Sequence, residues 1–432
     1  MKNILLLGYV VVTLLECSSC ASPQPEEDYG WLKSAIDTSV RQLEETVADI
    51  GDSVLLPRSI WTGYDIDFLC SQLQQNPMTF KDSLRVKPVT EVLGTRRYCT
   101  SIYDWTSGFF PGELWFLYEY TQNNFWKKKA QQHTDILEKE KMNGSTHDMG
   151  FKVYCSFGNG YRLTQDEHYK EVLLQSAHTL ATRFKPAAGI IRSWDHSAAK
   201  WVCPVIIDNM MNLELLFWAT KESKDSTFYR IAVDHARTTM KHHFRPDFSS
   251  YHVIDYDTIT GQVLKKNTHQ GFADESAWSR GQAWALYGYT MCYRETRLPE
   301  FLEQAQNIEK YLFTHPNMPE DLIPYWDFDA PGIPDEPRDV SAATVIASAL
   351  YELSLYDPEK GERYRSNADK IIENLTKHYR ATLKKDNGFL LLHSTGTKPT
   401  NTEVDVPIVY ADYYFIEALM RKNKLEKTGK LF

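Results

Sequence analysis

Positive charge is in short supply in this chain: 48 Lys and Arg stand against 57 Asp and Glu in 432 residues, leaving a net charge of -9. That balance argues against a nucleic-acid partner or a polybasic membrane surface. Cysteine is sparse as well. Beyond Cys17 and Cys20, the remaining Cys70, Cys99, Cys155, Cys203 and Cys292 are odd in number, far apart and without a Cys-x-x-Cys pair. They read as buried small hydrophobes rather than a disulfide frame or a metal site. Also missing are a Gly-rich phosphate loop, HExxH and GxSxG. His242 and His243 are adjacent on an amphipathic helix and read as part of a solvated face, not as metal ligands. No cofactor or metal is expected.

Long apolar runs are absent too, apart from Ile4 to Leu15 behind Lys2 and Asn3. That run is too short to span a bilayer and has the proportions of a signal-peptide core. Small residues before Cys20 resemble a bacterial lipoprotein cleavage site. The expectation is a lipoprotein-type signal over residues 1–20, a tether over 21–28, and a single folded unit over 29–432. The protein would be exported to a bacterial periplasm or held at the membrane only through a lipid on Cys20, with simple signal cleavage as the alternative.

What the chain does have is apolar content for a core, at 42%, and an excess of rings: 11 Trp, 25 Tyr and 20 Phe. Flat aromatic faces are a recurring way to hold sugar rings. The pattern along the chain is helical throughout. One-sided amphipathic helices are predicted near 29–50, 124–140, 166–184, 225–243, 298–314 and 359–379. Between them, segments beginning near Trp105, Asp148, Asp208, Trp278, Asp339 and Pro407 are apolar around most of the circumference, as an enclosed helix must be. Six exposed and six enclosed helices in alternation imply an all-α ring of stacked hairpins, with the first outer helix beside the last inner one.

In such a ring the inner helices present their N-termini at one mouth. Asp104, His147, Asp148, Asp208, Asp274, Glu275, Arg338, Asp339 and Asp405 all fall near those N-termini. Aspartate is also a preferred helix cap, and capping alone would explain any one of the acids. The segment 51–104 is a long irregular excursion, and the loop-like stretches 186–204, 245–274 and 315–338 should lie on the mouth side.

Paired carboxylates at a groove are the usual apparatus for cleaving a glycosidic bond. Asp148 and Asp208 sit in weakly charged surroundings, HDMGF and VIIDNMMN, where desolvation would raise a carboxyl toward a proton donor's range. Gln270, Trp278, Arg280 and Trp284 lie in QGFADESAWSRGQAW. Arg280, in an otherwise apolar helix, needs an anionic partner, either a protein carboxylate or that of a substrate.

The segments WTSGFFPGELW, HDMGF, RSWDH, IIDNMMNLELLFWA, QGFADESAWSRGQAWALYG, WDFDAP, PRDVSAAT and YADYYFIEALM resemble glycoside hydrolase family 88, the unsaturated glucuronyl hydrolases. They follow the family's order over about residues 100–420. The resemblance implies an (α/α)6 barrel and a hydrolase that removes a 4,5-unsaturated uronic acid from the non-reducing end of lyase-generated oligosaccharides, by protonating C4 and adding water at C5. By the same resemblance Asp208 is the general acid/base and Asp148 the second required carboxylate. His147, His252, Gln270 and Arg280 become polar residues around the uronate, and Trp105, Trp194, Trp278 and Trp284 its aromatic walls. Arg58 and Arg338 are further candidates. Asp65 to Glu91 has no assignable counterpart, and His393 to Val409 carries no decodable pattern, so linkage and sulfation preference stay open, with glycosaminoglycan fragments the first expectation. The alternatives are an unsaturated rhamnogalacturonyl hydrolase acting on pectin fragments, an inverting glycosidase on the same barrel, a carbohydrate-binding lipoprotein without catalysis, and a structural helical toroid. Nothing in the sequence bears on oligomeric state.

Overall fold

One-sided and all-round apolar segments alternate in the sequence, and the computed structural model, which describes residues 30–60 and 97–432, makes each of them a helix. The predicted signal, the tether, Cys70 and most of the 51–104 excursion lie outside the described residues. In chain order the first helices are α1 (Gly30–Ile50), α2 (Phe109–Thr121), α3 (Asn124–Asp135), α4 (Asn159–Thr164), α5 (Glu167–Ala181) and α6 (Leu213–Ser223). They continue as α7 (Ser226–His242), α8 (Ser279–Thr296), α9 (Pro299–Thr314), α10 (Val340–Leu353), α11 (Gly361–His378) and α12 (Val409–Thr428). The fourth begins as a π-helix, Gly150–Gly158, and the sixth as a 3-10 turn, Ile207–Asn212.

Odd-numbered helices form the outer ring and even-numbered ones the inner. Every residue of α10 is buried, whereas α7 buries only a stripe that includes Phe228, Ile231, Ala232, His235 and Ala236. Helix α12 packs against α2 and α10, and α1 packs on α12, closing the circle as expected.

The two ends of the ring are built differently. Four inner helices turn into their outer partners through one left-handed residue, Gln122, Gln165, Lys224 or Arg297. After three of these, Asn123, Asp166 or Asp225 caps the next helix by accepting from the amide two residues on. After the fourth, Pro299 opens α9, where its missing N–H costs nothing. Such tight turns supply no long segment that could carry mouth residues. The long connections are all at the other end, ahead of the inner helices.

Those connections are not plain loops, and here the sequence reading needs correction. Short antiparallel strands run through them: β1 (Leu56–Ile60) with β2 (Arg97–Thr100), β3 (Phe184–Lys185) with β4 (Ile190–Ile191), a sheet of β5 (Pro204–Ile206), β6 (Val253–Tyr256) and β7 (Val263–Asn267), and β8 (Ser394–Thr397) with β9 (Thr402–Val406). The middle sheet lies over the end of α7, which overturns the solvated reading of its histidines. His243 is fully buried with Nε2 3.1 Å from the Val205 carbonyl, and burial pushes its imidazole down to about 3. His242 is partly buried against the Tyr256 hydroxyl. Cys99, Cys155, Cys203 and Cys292 are buried free thiols, as read from their spacing.

Candidate active site

The site grows from the sheet at the mouth. Ile206 on β5 pairs with Val253 on β6, and the Ile207 amide donates to the His252 carbonyl at 3.1 Å. This pairing sets the next side chain of one strand beside the preceding side chain of the other. Asp208 and His252 therefore face each other, Oδ2 to Nε2 at 3.8 Å, and neither atom has a hydrogen-bond partner among the described residues.

His252 has a defined tautomer. Its Nδ1 accepts from the amides of His269 and Gln270, both at 3.1 Å, so the proton sits on Nε2 and points toward Asp208. Burial holds the imidazole well below its usual range, and the neighbouring His269, Arg280, His243 and Lys200 push it in the same direction. A neutral ring results. Asp208, 7% exposed, is pushed up to about 6 by burial, against the charges of Arg280 and His147. That is the range in which a carboxylic acid both holds and gives up a proton near neutral pH.

Asp148 reaches the same mouth from the other side. The His147 amide donates to the Ser193 carbonyl, and Thr146 bridges Trp194. Here the sequence expectation is corrected: burial alone would raise this carboxyl, but the charge and hydrogen bond of His147, the Thr146 hydroxyl and the charge of Lys152 outweigh it and hold it low. His147 Nε2 lies 3.1 Å from Oδ1 and Thr146 Oγ1 donates to Oδ2 at 2.5 Å. Lys152 is fully buried on Glu140. One acid is thus kept ionised beside one that is kept near its midpoint, and the charge of Asp148 itself helps raise Asp208.

Asn212, absent from the sequence reading, ties the two halves together. Its Oδ1 accepts from the amides of Gly150, at 2.8 Å, and Phe151, at 3.2 Å, so the start of the sixth helix caps the start of the fourth, the inner helix before it. A Cβ on Gly150 would lie 2.6 Å from the Asn212 Cα, so only glycine permits this approach. The asparagine is visible in IIDNMMN, but only the fold shows that its partner lies 62 residues away.

The aromatic candidates divide. Trp278 packs on His252, with ring centres 4.5 Å apart. Trp105 and Trp284 both meet Phe151, at 5.4 and 5.2 Å, and Trp284 is fully buried. Trp194 stands apart from these in a group with His196, Trp201 and His269. Phe109, Phe151, Trp284, Tyr410 and Tyr414 fill the barrel axis below the acids. Beyond them, at the tight-turn end, is a separate cavity of about 710 Å³, lined by Phe116, Glu119, Tyr154, Arg162, Trp218 and Lys424 among others. Neither Asp148 nor Asp208 opens into it.

Of the two anionic partners open to Arg280 from its sequence context, a protein carboxylate or a substrate's, the structure supplies a protein carboxylate. Nη1 is 2.6 Å from Asp339 and 2.5 Å from the Thr395 carbonyl, Nη2 is 2.6 Å from the Gly396 carbonyl, and the guanidinium lies over Trp278. Asp339 also caps α10 through the Ser341 amide. Gln270 reaches the same hairpin, at Gly396 O and Thr397 Oγ1. Arg58 is a bridge between Glu403 and Asp104, and Arg338 pairs with Asp321 over the Tyr325 ring.

Comparison with known proteins agrees with this architecture. Residues 89–424 match the model of Glycosyl Hydrolase Family 88, while residues 1–75 match a domain of unknown function. An unsaturated glucuronyl hydrolase from Formosa agariphila is 54% identical over 326 residues, covering 74% of this chain and 80% of the relative. An unsaturated chondroitin disaccharide hydrolase from Streptococcus pneumoniae is 30% identical over 370 residues, 84% of this chain and 92% of the relative. The crystal structure of an unsaturated glucuronyl hydrolase specific for heparin superposes with a TM-score of 0.82 at 42% identity, over 92% of this chain and 98% of that one. With its inner ring, its mouth acids and these matches in agreement, the chain belongs to glycoside hydrolase family 88.

Proposed function

We propose that this protein hydrolyses unsaturated oligosaccharides left by polysaccharide lyases, removing a terminal 4,5-unsaturated uronic acid by hydration of its vinyl ether. The observation that carries this reading is the pair of unlike acids: Asp208, poised at about 6 opposite a neutral His252, and Asp148, held ionised by His147 and Thr146.

Asp208 gives its proton to C4, and the electron pair of the C4=C5 bond forms the new C–H bond. The positive charge that develops at C5 and the ring oxygen is stabilised by the Asp148 carboxylate. A water adds at C5 and returns a proton to Asp208, which regenerates the acid. The hemiketal at C5 then opens to a ketone, and the hemiacetal left at C1 releases the remaining sugar. One water is consumed and nothing is oxidised or reduced. The Nε2–H of His252 faces the atoms between which the proton moves and steers both the alkene and the water. Trp105, partly exposed, supplies a flat face for the sugar ring, while Trp278 is buried against His252 and Arg280 and holds them in place.

The relatives' names support glycosaminoglycan fragments as the substrate class. The conjugated alkene acid absorbs in the ultraviolet, and its loss reports turnover directly. Wild-type protein with an unsaturated glycosaminoglycan disaccharide should bleach that absorbance, and Asp208→Asn should slow it by roughly 100-fold or more while keeping the fold. An Asn variant as fast as wild type removes Asp208 from its role. Export belongs to the same proposal: residues 1–20 direct the chain out of the cytoplasm and Cys20 carries the lipid, which mass spectrometry of the mature N-terminus checks.

A further inference from the structure

At the tight-turn end the inner helices stop filling the axis with apolar side chains. Helix α6 presents Glu214, Trp218 and Glu222, four residues apart and so on one face, to the cavity of about 710 Å³. That volume lies within the range of about 300–1,000 Å³ in which proteins hold small ligands. Tyr154 and Tyr161, from the neighbouring inner helix, meet the Trp218 ring with centres 6.4 and 5.7 Å apart. A Cβ on Gly158 would come 2.9 Å from the Tyr154 ring, so the glycine makes room for it. The three rings form an aromatic corner bounded by carboxylates.

Charge inside this chamber is matched. Arg162 holds Glu119 through two bonds of 2.8 and 2.6 Å, Lys170 reaches Glu222 at 3.1 Å, Arg421 lies 2.5 Å from Glu417, and Arg294 pairs with Glu214. Lys424 and Lys427 have no acidic partner among the described residues, but they are exposed at the rim, near the end of α12, where cations suit the carbonyl end of a helix. Hydrogen bonding is not matched. The hydroxyls of Tyr154 and Tyr414, the indole N–H of Trp218 and Oε2 of Glu417 all lack a hydrogen-bond partner among the described residues, although Tyr414 is only 3% and Glu417 only 8% exposed. Such groups are costly to leave unpaired. An apolar ligand would leave them so, an anion would meet the Glu417 carboxylate, and a cation would find the carboxylates already taken. A ring with hydroxyls at its edge and C–H groups on its faces suits both the unpaired groups and the aromatic corner.

We propose that this chamber is a second carbohydrate site, remote from the acids and selective for an uncharged sugar. Trp218 is its platform, and Tyr154 and Glu417 take the hydroxyls. The site does not depend on the reaction proposed above, whose substrate is itself an acid bound at the other end of the barrel.

The experiment titrates the full chain by calorimetry with N-acetylglucosamine and cellobiose, both uncharged, and with glucuronate, whose acid group suits the mouth. Trp218→Leu should weaken binding of at least one uncharged sugar roughly tenfold, and Tyr154→Phe, which removes a hydroxyl that has no protein partner, roughly fivefold. Trp105→Leu, at the mouth, should leave that binding as it is. Glucuronate should bind Trp218→Leu as it binds wild type. Both cavity variants should keep kcat/KM on the unsaturated disaccharide, which also reports that they fold; should Trp218→Leu not fold, Tyr154→Phe decides. Three results overturn the proposal: no binding of either uncharged sugar, which leaves the chamber to water; binding unchanged in both cavity variants; or binding lost in Trp105→Leu instead. Each of them leaves the reaction standing.

Discussion

At the scale of single residues, two aspartates with similar sequence settings end in different electrostatic states. Asp208 lies among apolar neighbours and faces a neutral imidazole, so burial wins. Asp148 has a histidine directly before it, and that histidine folds back onto its carboxylate. The rise of Asp208 was legible in VIIDNMMN, because the desolvating residues are its own neighbours. The fall of Asp148 was not, because HDMGF shows that a histidine is present and not that its Nε2 reaches the carboxylate. His243 failed for a similar reason: what buries it is a sheet strand 38 residues away. The states predict a pH profile. The proposed donor, Asp208, must be protonated, so kcat/KM should fall as pH rises through about 6. Asp148→Asn removes a negative neighbour that raises Asp208, so in that weakened enzyme the falling limb should move to lower pH. A limb that moves to higher pH would contradict the coupling of the two acids.

At the scale of elements, the helices were readable because burial leaves a different mark on each ring. An outer helix shows a stripe and an inner helix shows apolar residues all round, and twelve such segments in alternation admit few arrangements. The strands were not readable, since they have two to five residues, and β7, with two lysines in five residues, is largely polar. Sequence periodicity cannot register an element shorter than its own period of evidence. The joint between inner helices was equally hidden, and it is where an element-level test belongs. Replacing Asn212 with alanine strips two buried amides of their acceptor, at a cost of about 2–4 kcal/mol on denaturant unfolding. Because those amides open the helix that follows Asp148, activity should fall even under conditions where the variant remains folded. A variant with wild-type stability would show that the amides find another acceptor.

At the scale of the whole molecule, closing the ring buries two carboxyls in the opening turns of neighbouring inner helices. Glu113 on α2 and Asp412 on α12 are both enclosed where the last inner helix meets the first. Burial raises both carboxyls, Asp412 to about 8 even though it accepts from the Leu390 and Leu391 amides and faces Arg380. In the unfolded chain such groups titrate near 4. The folded state therefore holds protons that the unfolded state has released, and the stability this gives is complete below about pH 4 and is lost as pH rises through 8. Thermal unfolding from pH 6 to 9 should show Tm falling, and Glu113→Gln, which is neutral at every pH, should flatten the fall by an amount on the order of a few kcal/mol. An equally steep fall in the variant would place the proton elsewhere.

The aromatic pile on the barrel axis has a consequence for the order of events during turnover. Phe109, Phe151, Trp284, Tyr410 and Tyr414 pack ring on ring along the axis, and neither acid lines the cavity at the other end, so among the described residues the acids are reached from the mouth. Among the described residues, that one doorway serves arrival and departure alike. The cleaved sugar occupies that doorway and has to leave before the ring-opened acid beneath it can escape. The enzyme works as a last-in, first-out stack: the ring-opened acid is the final product to depart, and it should inhibit competitively with the substrate that needs its place.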